Sequence, residues 1–242
     1  MEAAADVSDD DAPEPASESE PVTEPELGWR TPEIERELPG LGLMTARARI
    51  ARPGALGARS PVGVENRLRE LSNRFRGARA VTLRREPVPA AYRAFFRHVG
   101  FDPDVARTPI EAVALERMLR GGFLAGGLLQ DSLLIALADT GVPVWALDAA
   151  AVDGPLGIRT SAEGEPLGRD PQRGGEGQLP RGRLVVADAS AALAVLFGEL
   201  AVEHAAKAST TEVRLFAIQV AGVPSLYVEE ALWICRAVLE QS

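Results

Sequence analysis

The chain has 242 residues, a formal net charge of −9 and a single cysteine. That length suits one large domain with a sizeable core, and no apolar run approaches the roughly 20 residues of a membrane-spanning helix. One cysteine excludes an internal disulfide, and the acidic N-terminus is unlike a secretory signal, so we expect a cytoplasmic protein without membrane contact. Two scattered histidines and one cysteine do not form a ligand set, so no metal or other cofactor is expected.

The acidic charge is concentrated at the N-terminus. Residues 1–26 contain ten acidic residues and no basic one, whereas the rest of the chain holds 25 acidic and 26 basic residues. A segment rich in Pro, Ser, Glu and Ala, without an aromatic residue before Trp29, does not bury enough surface to offset its ordering entropy. We therefore predict a disordered acidic tail over residues 1–28 and one domain over residues 29–242. The tail either keeps the protein soluble or attracts a basic partner.

The first half of the domain is predicted to be mainly helical. Thr31 followed by Pro32 is typical of a helix start. In residues 41–50 the two sets of alternate positions differ enough in polarity to predict a half-buried strand. Three further helices are predicted from apolar residues at helical spacing. They are indicated by Val64, Leu68, Leu71 and Phe75, by Val88, Ala91, Tyr92, Phe95, Phe96 and Val99, and by the segment 110–119 that follows Thr108-Pro109.

The second half alternates between strands and helices. Residues 128–140 are apolar on nearly all sides, which favours a buried helix. Strands are predicted at 142–147, 156–160 and 184–187, and residues 191–200 and 213–220 are further strand candidates. A final helix is predicted to begin with Ser225 as its cap and to end near Glu240, with Cys235 on its apolar face. The glycine-rich segment 169–180 is expected to be mobile.

Arginines are concentrated in the second and third predicted helices and the segment that joins them. Residues 67–97 contain nine arginines against Glu70 and Glu86. The guanidinium group suits phosphate, so this segment predicts an RNA-binding surface, whereas DNA is not expected. The predicted RNA-binding residues are seven of these arginines, namely Arg67, Arg69, Arg74, Arg76, Arg79, Arg84 and Arg85. The alternative is a solvated face in an arginine-rich chain, since Lys207 is the single lysine.

From about residue 34 to residue 224 the order of the motifs is similar to one known domain. The matching residues include Gly100, Asp102-Pro103, the ALD of 146–148, the GIRTSAEGEP of 157–166 and the GRLVVAD of 182–188. These resemble the B3/B4 domain, the tRNA-editing domain of the phenylalanyl-tRNA synthetase β subunit, as a free-standing protein. The resemblance implies an α+β fold of three layers, with mixed β-sheets flanked by helices. It also implies tRNA or aminoacyl-tRNA as a partner and hydrolysis of mischarged aminoacyl-tRNA.

Within that resemblance, Glu203 and His204 are the predicted catalytic residues. The predicted substrate pocket contains Asp131, Trp145, Asp148 and Glu165. Trp145 stands where the family has a pocket histidine, and apolar residues replace the asparagines that flank Asp131. Two hypotheses follow, namely a trans-acting aminoacyl-tRNA deacylase or a catalytically degenerate binding module for a small molecule or protein partner. They differ in whether ionisable groups such as Asp148, Glu203 and His204 reach one cavity.

The same residues also have structural interpretations. Asp131 would then lie exposed at a helix N-terminus or be paired, because an unpaired charge in an apolar helix is costly. Asp148 would cap a turn after its strand. Glu165 would pair with Arg159 across a hairpin, and Trp145 would belong to the core.

Overall fold

The computed structural model describes residues 24–169 and 178–242. Within these ranges the chain forms seven α-helices and two four-stranded sheets. The helices are α1 (Pro32–Glu37), α2 (Val62–Arg74), α3 (Gly77–Thr82), α4 (Pro87–His98), α5 (Pro109–Arg120), α6 (Leu128–Thr140) and α7 (Ser225–Gln241). The strands are β1 (Glu26–Leu27), β2 (Trp29–Arg30), β3 (Gly42–Arg49), β4 (Val144–Asp148), β5 (Gly157–Thr160), β6 (Leu184–Ala187), β7 (Ala192–Val195) and β8 (Glu212–Gln219). The predicted α+β fold class is confirmed.

The first sheet is antiparallel throughout, with the order β1-β3-β8-β4. Its inner strand β8 is buried from residue 213 to residue 218, and each of these residues except Arg214 is apolar. Helix α7 packs on β3 and β8, α6 packs against α7, and α2 packs against α6. The main core lies between these layers and includes the thiol of Cys235, whose pKa is raised by burial.

The second sheet is mixed, with the order β2-β5-β6-β7. Strand β2 runs parallel to β5, and the remaining pairs are antiparallel. The strand predicted over residues 191–200 ends at Val195, so that prediction is too long. The chain turns at Phe197, whose φ of 57° lies in the left-handed region, and returns so that Leu200 pairs with Ala194.

The domain begins before the predicted boundary at residue 29. Glu26 and Leu27 pair with Thr45 and Met44 of β3, and the Gly28 N–H donates to the Leu43 carbonyl at 2.8 Å. The prediction of a disordered tail as far as residue 28 is therefore wrong for residues 26–28. Residues 1–23 of that tail, and residues 170–177 of the segment predicted to be mobile, lie outside the described residues.

Several helix ends follow the predicted signals. Helix α6 has the predicted bounds and ends at Gly141, which adopts a φ of +77°. Helix α5 begins after Thr108 with a capping box formed with Glu111. Ser225 is the first helical residue of α7 and Pro224 stands at its cap, so the predicted capping role of Ser225 is wrong. Within the described part of the chain, no helix is long and apolar enough to cross a membrane.

Candidate functional site

The predicted catalytic pair lies in a short 3₁₀ turn, Val202–His204, between β7 and β8. His204 is 1% exposed, and its Nδ1 lies 3.8 Å from the Glu203 Oε1. Among residues 24–169 and 178–242, no group forms a hydrogen bond with that Nδ1. Burial and the neighbouring positive charge of Arg169 lower the pKa of His204. The imidazole is therefore neutral at pH 7 and shielded from solvent.

Arg169 and Asp188 form the ionic centre of this region. The Arg169 side chain donates to Asp188 Oδ2 and to Ser190 Oγ, both at 2.8 Å, and its backbone N–H donates to Glu203 Oε1 at 2.6 Å. Burial alone would raise the pKa of Asp188, but hydrogen bonds from the backbone of Asp153, Ser190 and Ala191 outweigh burial and lower it. Because Arg169 contacts both Asp188 and Glu203, the cluster fixes the positions of these separate segments.

Asp148 lies beside the same turn, because Leu147 pairs with Ala205. Its carboxylate accepts from the Ala150 N–H at 3.1 Å and from Thr210 Oγ1 at 2.8 Å. It therefore caps a 3₁₀ turn, as the structural interpretation predicts. The structure brings Asp148, Glu203 and His204 into one region, but none of them lines either of the two cavities described below.

Asp131 and Glu165 have structural partners of their own. Asp131 is buried rather than exposed, and accepts from Ser60 Oγ at 2.6 Å and from the Gly126 N–H at 3.0 Å. Glu165 forms a two-armed ion pair with Arg159, and the hydrogen bond from Arg159 lowers the pKa of Glu165. These two predicted pocket residues thus stabilise local structure.

Trp145 is half-buried at the edge of an aromatic cluster. Its ring stacks on Phe216 of the neighbouring strand, with centroids 5.5 Å apart and an interplanar angle of 10°. It also meets Phe197 edge-on at 5.8 Å. Trp145 therefore contacts a wall of the cavity described below without being one of its lining residues.

Acidic neighbours neutralise part of the predicted RNA-binding surface. Arg67 and Arg74 both pair with Asp139. Arg79 lies 3.3 Å from Glu86, and its guanidinium also covers the Phe75 ring. Arg84 lies 3.7 Å from Asp104. Within the described ranges Arg69, Arg76 and Arg85 have no acidic partner; the first two are hydrogen-bonded to Asn66 and Asn73.

A different cavity, which we call the phenylalanine pocket, carries a chemically distinctive lining. Its volume is about 370 Å³, within the roughly 300–1,000 Å³ usual for ligand pockets. Phe95 and Phe96 come from α4, Phe101 from the loop after it, and Phe197 from the turn after β7. Two arginines, Arg107 and Arg183, also line the pocket, together with aliphatic residues and Gly182. Its lining includes no Asp, Glu or His.

The two arginines of this pocket are not paired with acidic side chains of the described residues. Within residues 24–169 and 178–242, neither Arg107 nor Arg183 has an acidic partner. The Arg183 guanidinium lies over the Phe101 ring, 5.0 Å from its centroid. A cation held on an aromatic face and facing an apolar cavity is suited to bind an anion that also carries an apolar group.

Phe197 holds a strained backbone at the wall of the pocket. It is the one non-glycine residue with positive φ in the described part of the chain. That conformation costs an L-residue about 1–2 kcal/mol. Its ring contacts those of Phe95 and Phe96 at 5.8 and 5.2 Å, and also touches Tyr92. Strain kept at a cavity wall is typical of a functional site.

The sequence did not indicate this pocket, because its residues come from four separate segments. Phe95 and Phe96 belong to the apolar face of a predicted helix, and Phe197 lies in a predicted strand. One signal was available. Phe101 follows Gly100 beyond the end of the helix, so its large apolar ring is not explained by the helical pattern.

No protein-family model matches this sequence, and a search of curated proteins finds no match. The resemblance to the B3/B4 domain therefore stays a prediction. Within the described ranges there is no group of three His, Cys, Asp or Glu side chains able to hold a metal ion.

Proposed function

We propose that this protein is a non-hydrolytic binding module and that the phenylalanine pocket is its ligand site. The ligand carries an aromatic ring and an anionic group. The observation that carries this proposal is the combination of four phenylalanines with two arginines that lack acidic partners among the described residues. It develops the second of the two hypotheses from the sequence, a binding module that has lost hydrolytic chemistry.

The phenylalanine rings favour an aromatic over an aliphatic ligand group. Phe95 and Phe96 each meet Phe197 at a tilted angle, and all three rings line the pocket, where a further ring can pack against them. Such aromatic pairs contribute about 0.5–1.5 kcal/mol beyond the burial of their area. The pocket therefore prefers a planar ring.

Arg107 and Arg183 select the charge of the ligand. A hydrogen bond to a charged group contributes about 1.5–3 kcal/mol, which corresponds to roughly a tenfold or larger gain in affinity. The pocket lining has no carboxylate to pair with an ammonium group. A ring-bearing carboxylate or phosphate is thus favoured over a zwitterionic amino acid.

Hydrolysis is less well supported, because the ionisable groups lie elsewhere. General acid–base catalysis needs a group within hydrogen-bond reach of the substrate. Neither Glu203 nor His204 lines the phenylalanine pocket, and Asp148 is occupied by its capping contacts. We expect no release of amino acid when the protein is incubated with a panel of mischarged tRNAs.

Isothermal titration calorimetry with matched pairs of compounds tests the proposal. Phenylacetate is compared with neutral phenylacetamide, and AMP with adenosine. We expect each anion to bind at least tenfold more tightly than its neutral counterpart. The Arg107→Ala and Arg183→Ala variants should lose that difference, whereas Arg36→Ala, which changes an exposed arginine of α1, should keep it. Equal binding of the charged and neutral compounds, or no binding at millimolar concentration, would contradict the proposal.

RNA binding is a second candidate, supported by the exposed Arg69, Arg76 and Arg85 without acidic partners in the described ranges. If these arginines contact phosphates, affinity for tRNA falls steeply with salt, because each neutralised phosphate releases counterions. Replacing the three with alanine should weaken binding almost equally for all tRNAs. Electrophoretic mobility shifts at two salt concentrations measure this, and no shift at low salt would exclude RNA.

A further inference from the structure

A second cavity, which we call the arginine cavity, adjoins the phenylalanine pocket. Its volume is about 570 Å³. It lies between the segment 82–85, helix α4, the loop before α5 and helix α5 itself. Four arginines line it, namely Arg84, Arg85, Arg93 and Arg107. Arg107 lines both cavities, so its side chain stands where they meet.

The arginine cavity carries an excess of positive charge. Its two carboxylates, Asp104 and Glu111, are both committed to Arg93, at 2.7 and 2.6 Å. Asp104 also lies 3.7 Å from Arg84. In the described residues, Arg85 and Arg107 have no acidic partner. Four guanidinium groups against two carboxylates leave two positive charges on this wall.

The internal ion pairs make part of this wall rigid. Arg93 is 6% exposed, and Glu111, which holds it, also accepts from Thr108 Oγ1 at 2.8 Å at the start of α5. The Pro103 carbonyl also accepts from Arg93, so three partners fix this guanidinium. A wall fixed in this way loses little conformational entropy when a ligand binds against it.

We infer that the ligand extends through both cavities, with its ring in the phenylalanine pocket and a chain of at least two anionic groups that passes Arg107 and reaches Arg85. Nucleoside diphosphates and triphosphates have this chemistry. This inference rests on the proposed function and adds the class of ligand to it. Recognition by arginine forks needs neither a glycine-rich phosphate loop nor a bound metal ion.

The inference is tested by titrating adenosine, AMP, ADP and ATP without divalent cations at constant ionic strength. Affinity should rise at each step and by at least tenfold from AMP to ATP, as the added phosphates reach the arginine cavity. Arg85→Ala should lower the ratio of ATP to AMP affinity several-fold. Arg183→Ala, by contrast, should weaken AMP and ATP by similar factors. Arg36→Ala is the control and should change neither value.

Each part of the ligand is checked separately. Tripolyphosphate, which has no ring, should bind at least tenfold more weakly than ATP, and equal binding would overturn the two-cavity inference. Equal affinity for AMP and ATP would also overturn it, while leaving the proposed function intact. If neither the nucleotides nor phenylacetate bind, the proposed function itself fails.

Discussion

Phe197 combines a strained backbone with a ring at the wall of the phenylalanine pocket. Mutation separates the effect of the backbone strain on stability from the effect of the ring. Phe197→Ala and Phe197→Gly both remove the ring, but only glycine adopts a φ of 57° without steric cost. The strain relieved, about 1–2 kcal/mol, exceeds the extra entropy that glycine loses on folding, about 0.5–1 kcal/mol. We therefore expect the glycine variant to be the more stable in urea unfolding.

The same pair of substitutions at Val195 provides the control. Val195 lies in β7, where the backbone is extended, so Val195→Gly should be less stable than Val195→Ala. If the alanine variant is more stable than the glycine variant at both positions, the left-handed strain assigned to Phe197 is contradicted.

The buried His204 makes stability depend on pH in a defined window. Its pKa is lowered in the folded protein, so between that value and the ordinary pKa of about 6.5 the unfolded chain binds more protons. The free energy of unfolding must then fall as the pH decreases below about 6.5, until the pH reaches the folded pKa. Urea unfolding at pH 7.5, 6.5 and 5.5 should show this loss.

The chain offers a matched control, because His98 is the one other histidine and is exposed. His204→Gln should remove the part of the pH dependence that falls in this window, whereas His98→Gln should leave it in place. An unchanged pH profile for His204→Gln would show that the imidazole does not carry the effect.

Helices α4 and α5 are joined by the ion pair between Arg93 and Glu111, whose side chains are 7% and 10% exposed. Glu111→Ala leaves the buried guanidinium with the exposed Asp104 as its one acidic partner. Breaking a buried pair in this way typically costs about 3–5 kcal/mol. We expect Glu111→Ala to be far more destabilising than Asp104→Ala, as measured by urea unfolding. Equal effects would show that the link does not depend on the buried partner.

Local signals predicted the helices better than they predicted the sheets or the site. Helix α6 has the predicted bounds because its apolar run spans the whole helix, and Gly141 ends it with a φ of +77°. The strand predicted at 191–200 is too long because apolar residues continue through the turn at Phe197. The partners of Asp131 and the walls of the phenylalanine pocket depend on contacts between distant segments, which periodicity does not encode.

At the scale of the whole molecule, β1 joins the residues before Trp29 to the first sheet. Glu26 pairs at 3.2 Å with the largely buried Arg214, and a deletion of residues 1–23 keeps this pair. A deletion of residues 1–28 removes both the pair and the hydrogen bond between Gly28 and Leu43. Lost hydrogen bonds cost about 1 kcal/mol each, which lowers the Tm of a chain of this size by about 2–4 °C. The longer deletion should therefore melt lower than the shorter one by at least that amount.

The Glu26→Ala variant of the full chain separates the contribution of the Glu26–Arg214 ion pair from that of the backbone pairing of β1. It should reproduce part of the loss, because it removes the partner of Arg214 but keeps the backbone pairing of β1. If the two deletions melt at the same temperature, β1 does not contribute to stability.

The burial of Cys235 makes the folded protein unreactive toward thiol reagents. It is the single cysteine of the chain, it is inaccessible, and burial disfavours the thiolate that such reagents attack. A cysteine introduced at Val105, which is 78% exposed and lies two residues before Arg107, would therefore be the one reactive site of the native molecule. A fluorophore attached there would report ligand binding in either cavity. Cys235 would not have to be replaced before the labelling.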